Sequence, residues 1–361
     1  MRIEFLDGFR GLAILLVMLF HAYVPRPDVY PYGDTYAEFP LFKLGWLGVQ
    51  LFFLISGFVI FMTLDKTQTF KRFIFKRWLR LFPAMLIASV LIYSTLPIFH
   101  ERPDGVPPNM WSILPGLTFT LPTWWSKLLG FDIPLMESAF WSLYVEVKFY
   151  VIAGFVYYFL GRKYLVPVLV ALFAFWIIVF NLSVFFESRI LEILSILINA
   201  LSLKQFGWFA AGALFYIYFQ SKENKWFSYA IVVMLISAVT VRIESLGFDA
   251  EVIAGAFIIS ALFAFSFKSI LLQKILQNKG LVFIGFISYP LYLIHENVTT
   301  SMIVKMSDFA PVLPPFLYPY LPMVMVIIVA YIIARYLEPA LIKTLSFKRQ
   351  ATKALTLKDP S

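Results

Sequence analysis

The sequence predicts an all-α polytopic membrane protein, and three observations carry that prediction. Of the 361 residues, 61% are hydrophobic and only 14% charged, whereas an ordinary soluble domain is about a quarter charged. The apolar residues gather into stretches of the ~20 residues that a helix needs to cross a bilayer. Lys and Arg concentrate in alternate connecting segments. Mean hydropathy is +0.82, and aromatic residues are abundant, with 40 Phe, 19 Tyr and 9 Trp. A disordered chain, a coiled coil and a soluble enzyme are excluded on these grounds. Segments alternating with period two, as in an outer-membrane barrel, are missing from the sequence.

About ten spans are expected, over residues 9–23, 44–64, 81–99, 139–160, 164–180, 196–219, 226–241, 252–267, 280–304 and 316–339. The first resembles a signal peptide in position. Glu4 and Asp7 sit in its leading segment, and His21-Ala22-Tyr23-Val24-Pro25 holds no small-residue cleavage site, so a retained helix is expected. With the N-terminus cytoplasmic, the inner connecting segments hold 19 Lys and Arg and the outer ones 7. Asp and Glu run the other way. The net charge of +9 is therefore a positive-inside signature with both termini cytoplasmic, and nucleic acid is not an expected partner. Residues 1–342 are expected to form one membrane domain and 343–361 a short basic cytoplasmic tail. The outer segment 101–138 should carry short interfacial or re-entrant pieces. The lipid bilayer is the expected solvent, and oligomeric state is left open.

The chain has no Cys and only three His, His21, His100 and His295. Disulfides, thiolate metal sites, iron–sulfur clusters and Cys nucleophiles are thus excluded, and no metal centre is expected.

Ionisable groups inside membrane spans are costly, which makes them functional candidates. Arg10 and His21 bracket ten apolar residues of the first span. Eleven steps of about 100° make about three turns, so both side chains share one helix face, ~16 Å apart along the axis. That suits a narrow wet cavity; it equally suits a snorkelling Arg and a hydrogen-bonded His. In the basic segment 65–80, Arg77 and Arg80 form an i, i+3 pair, and paired guanidiniums suit phosphate recognition. Contact with anionic lipid head groups explains the lysines there. In Trp141-Ser142-Leu143-Tyr144-Val145-Glu146, Glu146 lies about two turns inside the fourth span, at a depth similar to His21. A Glu orienting a His is a general-base arrangement, and a structural polar clamp is the alternative. Pro290 interrupts the ninth span, with Tyr292, His295 and Glu296 following. For His295 and Glu296 a structural role is the default.

Together these residues resemble the acyltransferase-3 family of integral-membrane acyltransferases. Phe5-Leu6-Asp7-Gly8-Phe9-Arg10-Gly11-Leu12-Ala13 followed by His21 resembles its first-helix signature. Gly48-Val49-Gln50-Leu51-Phe52-Phe53-Leu54-Ile55-Ser56-Gly57-Phe58 resembles its second-helix motif. Arg77-Trp78-Leu79-Arg80-Leu81-Phe82-Pro83 is similar to its Arg-x-x-Arg element. Trp141 to Glu146 and Ser288 to His295 are similar to two later motifs. The resemblance covers about residues 5–340, without the extracytoplasmic hydrolase-like domain that many members carry.

The resemblance implies transfer of an acyl group, usually acetyl, from cytoplasmic acyl-CoA to a hydroxyl, with mostly carbohydrate acceptors such as surface or exported polysaccharides and lipo-oligosaccharides. It implies that Arg10 and His21 are catalytic and that Arg77 and Arg80 act on the donor. Acyl-CoA, acetyl-CoA in the usual case, is then a co-substrate, with no permanently bound cofactor, and the location is a bacterial inner membrane. On this footing His21 is the expected general base, with Glu146 setting its tautomer or charge. An acyl-His intermediate is the variant route. Asp7, Trp141, Ser142, Tyr292 and His295 are expected to support, several of them as oxyanion donors. Aromatic residues of 111–141 suit sugar faces and interface belts alike. A transporter or flippase is the alternative class, since broken helices and buried charges also mark transporters; no inverted repeat is visible in the sequence.

Overall fold

The computed structural model describes residues 3–101, 106–241, 249–310 and 312–344. Most of the expected tail, 345–361, lies outside the described residues. The described residues are helical, with no strand. In chain order the α-helices are α1 (Glu4–Tyr23), α2 (Pro40–Lys43), α3 (Gly48–Asp65), α4 (Phe70–Thr95), α5 (Ile113–Thr118), α6 (Pro122–Leu129), α7 (Trp141–Phe155) and α8 (Leu165–Phe185). There follow α9 (Arg189–Ala200), α10 (Phe206–Ser221), α11 (Asn224–Val239), α12 (Ala250–Ser266), α13 (Ile270–Leu276), α14 (Lys279–Ile294), α15 (Glu296–Phe309) and α16 (Tyr320–Ile332).

Among the described residues, six helices are long and apolar enough to cross a membrane, and up to nine spans result if each of three bent pairs counts as one. The bent pairs are α9 with the segment Leu203–Ser221, α12 with α13, and α14 with α15, at 61°, 108° and 78°. The expected seventh span falls on α11, a shorter apolar helix. The outward faces confirm the solvent: Ile178, Phe159, Ile193, Val232 and Phe265 are all largely exposed. Apolar side chains facing outward on apolar helices are stable against lipid, not water. The protein is a multi-pass membrane protein.

Two boundaries differ from expectation. Residues 65–80 were expected as a charged loop, yet α4 begins at Phe70. The Thr69 hydroxyl accepts from the Arg72 N–H at 3.3 Å, capping the first turn, so Arg77 and Arg80 stand on helix. Likewise the ninth span was expected to break at Pro290, yet α14 runs through it and ends at Ile294. A proline removes one N–H. At His295 a side chain intervenes: its Nδ1 lies 2.9 Å from the Tyr292 carbonyl, the acceptor that the Glu296 N–H would use to continue the helix.

The chain divides into two compact units. One comprises Met1–Phe20, Glu38–Phe75 and Trp141–Gly285. Its core is aromatic: Phe149 stacks on Phe209 with centroids 3.9 Å apart, and Phe215 on Phe267 at 5.0 Å. Glycines let its helices touch backbone to backbone. A Cβ on Gly8 would stand 1.8 Å from the Leu276 carbonyl oxygen, and one on Gly11 2.1 Å from that of Leu281. At the segment 161–163, Arg162 grips Asp65 with two bonds of 2.9 Å, joined by the Tyr157 and Tyr216 hydroxyls.

The other unit comprises His21–Ala37, Lys76–Phe140 and Phe286–Ser361. The segment 101–138 contributes short pieces to it, as expected: Met110–Ser112, α5, α6 and Ser138–Phe140. Here the last carbonyls of α1 find phenols, since Tyr30 donates to His21 O and Tyr32 to Ala22 O. Helix ends leave such carbonyls unsatisfied, and the tyrosines complete the end of α1 where His21 sits. Burial pushes the Tyr30 phenol up to about 12, so it remains a donor at neutral pH.

Candidate active site

His21 lies in the last turn of α1, its side chain mostly covered. Its Nδ1 stands 3.5 Å from Oε1 of Glu296, the first residue of α15. That is an ion-pair distance, a few tenths of an ångström beyond a firm hydrogen bond. The Glu296 carboxylate is itself held. Ser138 Oγ donates to Oε1, and the Ala139 N–H donates to Oε2 at 2.8 Å. Glu296 is 3% exposed, and these two donors fix the position of its carboxylate. It can therefore orient the His21 imidazole with Nδ1–H toward itself, leaving Nε2 as the reactive nitrogen.

The break before α15 is what brings these groups together. His295 faces His21 edge-on, ring centroids 5.0 Å apart. Tyr292, one turn earlier, donates its hydroxyl to the Ala139 carbonyl at 2.8 Å. A second carboxylate, Glu137, accepts from both the backbone and the side-chain nitrogen of Asn297. The 3₁₀ turn Ser138–Phe140 is thus pinned to the start of α15 from three sides.

Glu146 was expected to orient His21. The carboxylate that the structure places at His21 is Glu296. Glu146 accepts from the Ser56 hydroxyl of α3 and from Tyr150 Oη, one turn along α7, because residue spacing along α7 turns it toward α3. This is the clamp geometry. Lys148 donates to Ser202 at 3.0 Å. Ser142 is buried and Trp141 largely exposed beside Phe53. Tyr292, expected among oxyanion donors, directs its proton to Ala139 instead. Arg10 is bound to Asp7 at 2.6 Å, one turn earlier on α1, so Asp7 positions the guanidinium. His100 is exposed and next to Glu101.

Arg77 is partly buried and Arg80 exposed. Arg80 opens onto a cavity of about 540 Å³ that is also lined by Tyr289, Pro290, Glu338 and Lys343. Tyr289 Oη donates to the Leu81 carbonyl at 2.9 Å, which fixes α14 against α4 beside that cavity. No group of three His, Cys, Asp or Glu able to hold a metal occurs among the described residues.

Sequence reasoning gave Glu296 a structural role by default and did not single out Glu137, Ser138 and Asn297. Glu296 carried a signal, being a carboxylate inside an apolar span. Glu137, Ser138 and Asn297 carried none, since only the fold joins a loop before α7 to a helix some 160 residues on.

The family pattern described as an acyltransferase domain, acyltransferase-3, matches residues 3–335. The chain belongs to the acyltransferase-3 family. Among curated proteins, this acyltransferase-3 chain is 30% identical over 161 residues to the peptidoglycan O-acetyltransferase OatA of Listeria monocytogenes, which covers 41% of the chain and 23% of that protein. It is 28% identical over 158 residues to the putative membrane-bound transacylase BcsY of Komagataeibacter xylinus, 41% of the chain and 35% of that protein. It is 28% identical over 165 residues to the putative peptidoglycan O-acetyltransferase YrhL of Bacillus subtilis, 41% and 22%. The matches thus span about a fifth to a third of these relatives. No solved structure matches.

Proposed function

We propose that this acyltransferase-3 protein is an O-acyltransferase of the bacterial inner membrane that moves an acyl group, acetyl in the leading form, from cytoplasmic acyl-CoA to a carbohydrate hydroxyl. The observation that carries the reading is His21 facing a buried, doubly hydrogen-bonded Glu296 carboxylate. In the reaction, His21 Nε2 takes the proton of the acceptor hydroxyl and the oxygen attacks the thioester carbonyl carbon. The carbon–sulfur bond then breaks, and CoA leaves as a thiol with the proton that His21 held. Glu296 balances the imidazolium in between. A covalent acyl-His21 intermediate is the variant route.

The donor assignment draws on Arg80 and Lys343 at the mouth of one cavity, with Arg77 one helix turn away. Coenzyme A carries several phosphates, and cationic side chains at a cleft concentrate such ligands. Arg10, on the same face of α1 as His21 and held by Asp7, is assigned to the pantetheine arm or a phosphate. The acceptor class follows the printed names of the peptidoglycan O-acetyltransferases; a surface or exported polysaccharide or lipo-oligosaccharide is proposed here. The bent helix pairs, with charges inside spans, favour the transporter alternative.

The test is acetyl-CoA binding and hydrolysis by detergent-purified wild type and His21→Ala. Wild type is expected to bind the donor and release free CoA slowly, and His21→Ala to bind it with turnover lost by at least ~100-fold. Near-normal turnover in His21→Ala overturns the assignment of His21. Absence of binding by wild type to acetyl-CoA and to longer acyl-CoAs overturns the enzyme reading in favour of transport.

A further inference from the structure

Three side chains at the start of α15 carry buried polar atoms without a hydrogen-bond partner: His295 Nε2, Asn297 Oδ1 and Thr299 Oγ1. Of these, His295 Nε2 and Thr299 Oγ1 belong to residues 1% and 3% exposed and one helix turn apart. Most buried polar atoms are paired, and leaving one unpaired is costly. Their chemistry is specific. His295 Nδ1 lies 2.9 Å from the Tyr292 carbonyl oxygen. A carbonyl only accepts, so Nδ1 carries the ring proton. In the neutral ring Nε2 is then a bare lone pair, able only to accept. The Thr299 hydroxyl both donates and accepts. The two residues are spaced i, i+4, and the Thr299 N–H reaches the His295 carbonyl at 3.3 Å, so they lie on one face of the helix turn. The His295 ring on that face is 5.0 Å from the ring of His21.

We infer that His295 Nε2 and Thr299 Oγ1 form the subsite for the acceptor's hydroxyl groups. The inference rests on the O-acyltransferase reading and deepens it by naming the class of group admitted. A neutral hydroxyl fills both positions at once: it donates to the His295 lone pair and accepts from Thr299. A carboxylate or a phosphate dianion has no proton to offer Nε2 and meets a lone pair instead. The subsite therefore selects neutral polyol over acidic sugar substituents at the position next to the reacting oxygen. His21 acts on the attacking hydroxyl, and His295 with Thr299 binds its neighbour. In a vicinal diol the two oxygens lie about as far apart as hydrogen-bonded atoms do, which suits two rings meeting edge to face.

Two variants separate binding from folding. His295→Asn keeps an N–H to offer the Tyr292 carbonyl and removes the Nε2 acceptor. Thr299→Val keeps the shape and removes the hydroxyl. Wild type and both variants, purified in detergent, are compared for acetyl-CoA affinity and for CoA release stimulated by methyl glucoside, a neutral diol-bearing probe. Each variant is expected to retain acetyl-CoA affinity within twofold while kcat/KM for the glucoside falls at least about tenfold, chiefly through KM. An unchanged KM in both variants overturns the subsite. If wild type fails to bind acetyl-CoA at all, the enzyme reading falls instead, which keeps the two failures distinct. Nitrogen NMR of histidine-labelled protein decides independently of the probe. His295 is expected with Nδ1 protonated and Nε2 bare, and a protonated Nε2 overturns the inference whatever the glucoside does.

Discussion

At the scale of single residues, the site turns on which carboxylate serves His21. Glu296 faces the imidazole at 3.5 Å, whereas Glu146 is occupied by Ser56 and Tyr150. Replacing each by Gln preserves shape and removes charge, so the pair of variants makes a direct comparison. Glu296→Gln is expected to lower acetyl transfer by about 100-fold or more, because the imidazolium loses its counter-charge. Glu146→Gln is expected to lower it less than about tenfold, its effect passing through the packing of α3 on α7. Equal losses in CoA-release assays would return Glu146 to the site. Arg10 and His21 were legible in the sequence because a charged or polar residue inside an apolar span stands out. The partner of His21 was not, because depth in the membrane narrows the candidates without saying which helix face meets which. Glu146 and Glu296 are both carboxylates within spans, and only the bend at His295 turns one of them toward α1.

At the scale of elements, α1 is held by glycine contacts as much as by side chains. A Cβ on Gly11 would meet the Leu281 carbonyl 2.1 Å away, and backbone cannot step aside as a side chain does. Gly11→Val is expected to destabilise the protein by at least ~2 kcal/mol, read as a lower melting temperature and aggregation on size exclusion. A contact of the same kind holds Gly8, where a Cβ would stand 1.8 Å from the Leu276 carbonyl oxygen. A second joint anchors α15: Lys305 donates to Glu101 at 2.8 Å, and Ser301 to the Glu101 carbonyl at 2.7 Å. Burial, the largest single influence, would raise the Glu101 carboxyl, but the Lys305 bond and charge, a backbone hydrogen bond and the nearby His100 together hold the group below its ordinary value. A depressed carboxylate contributes stability above its unfolded pKa of ~4.3 and loses it as pH falls through the lower folded value. Melting temperature should therefore drop below about pH 4, and Glu101→Gln should flatten that drop. The spans were legible in part from hydropathy: among the described residues six helices are long and apolar enough to cross, up to nine spans if each bent pair counts as one, and the expected spans 196–219 and 280–304 each straddle a bend. The early start of α4 was not, since its basic first turns look like loop to a hydropathy scale, though Thr69 is a capping residue.

At the scale of the whole molecule, charge asymmetry predicts the orientation of the chain, and a sequence with no Cys makes that prediction measurable by single introduced cysteines. Single cysteines at Ser126 and Lys222 are expected to behave oppositely toward a membrane-impermeant maleimide. Ser126→Cys, in the segment expected outside, should label in intact cells, and Lys222→Cys, in a segment expected inside, only after lysis. Reversed labelling would move both termini to the far side and leave Arg77 and Arg80 without access to cytoplasmic donor.

The bend at His295 also bears on how the protein is made. A segment leaving the ribosome is sorted into lipid by its own apolarity, and α15 opens with Glu296, Asn297, Thr299, Thr300 and Ser301. Alone, that half-helix does not partition into a bilayer. It settles only against Ser138, Ala139, Glu137 and Glu101, all synthesised long before it. Biogenesis thus includes fitting a polar piece into a groove made earlier, and the residues that surround His21 are also the ones that admit it.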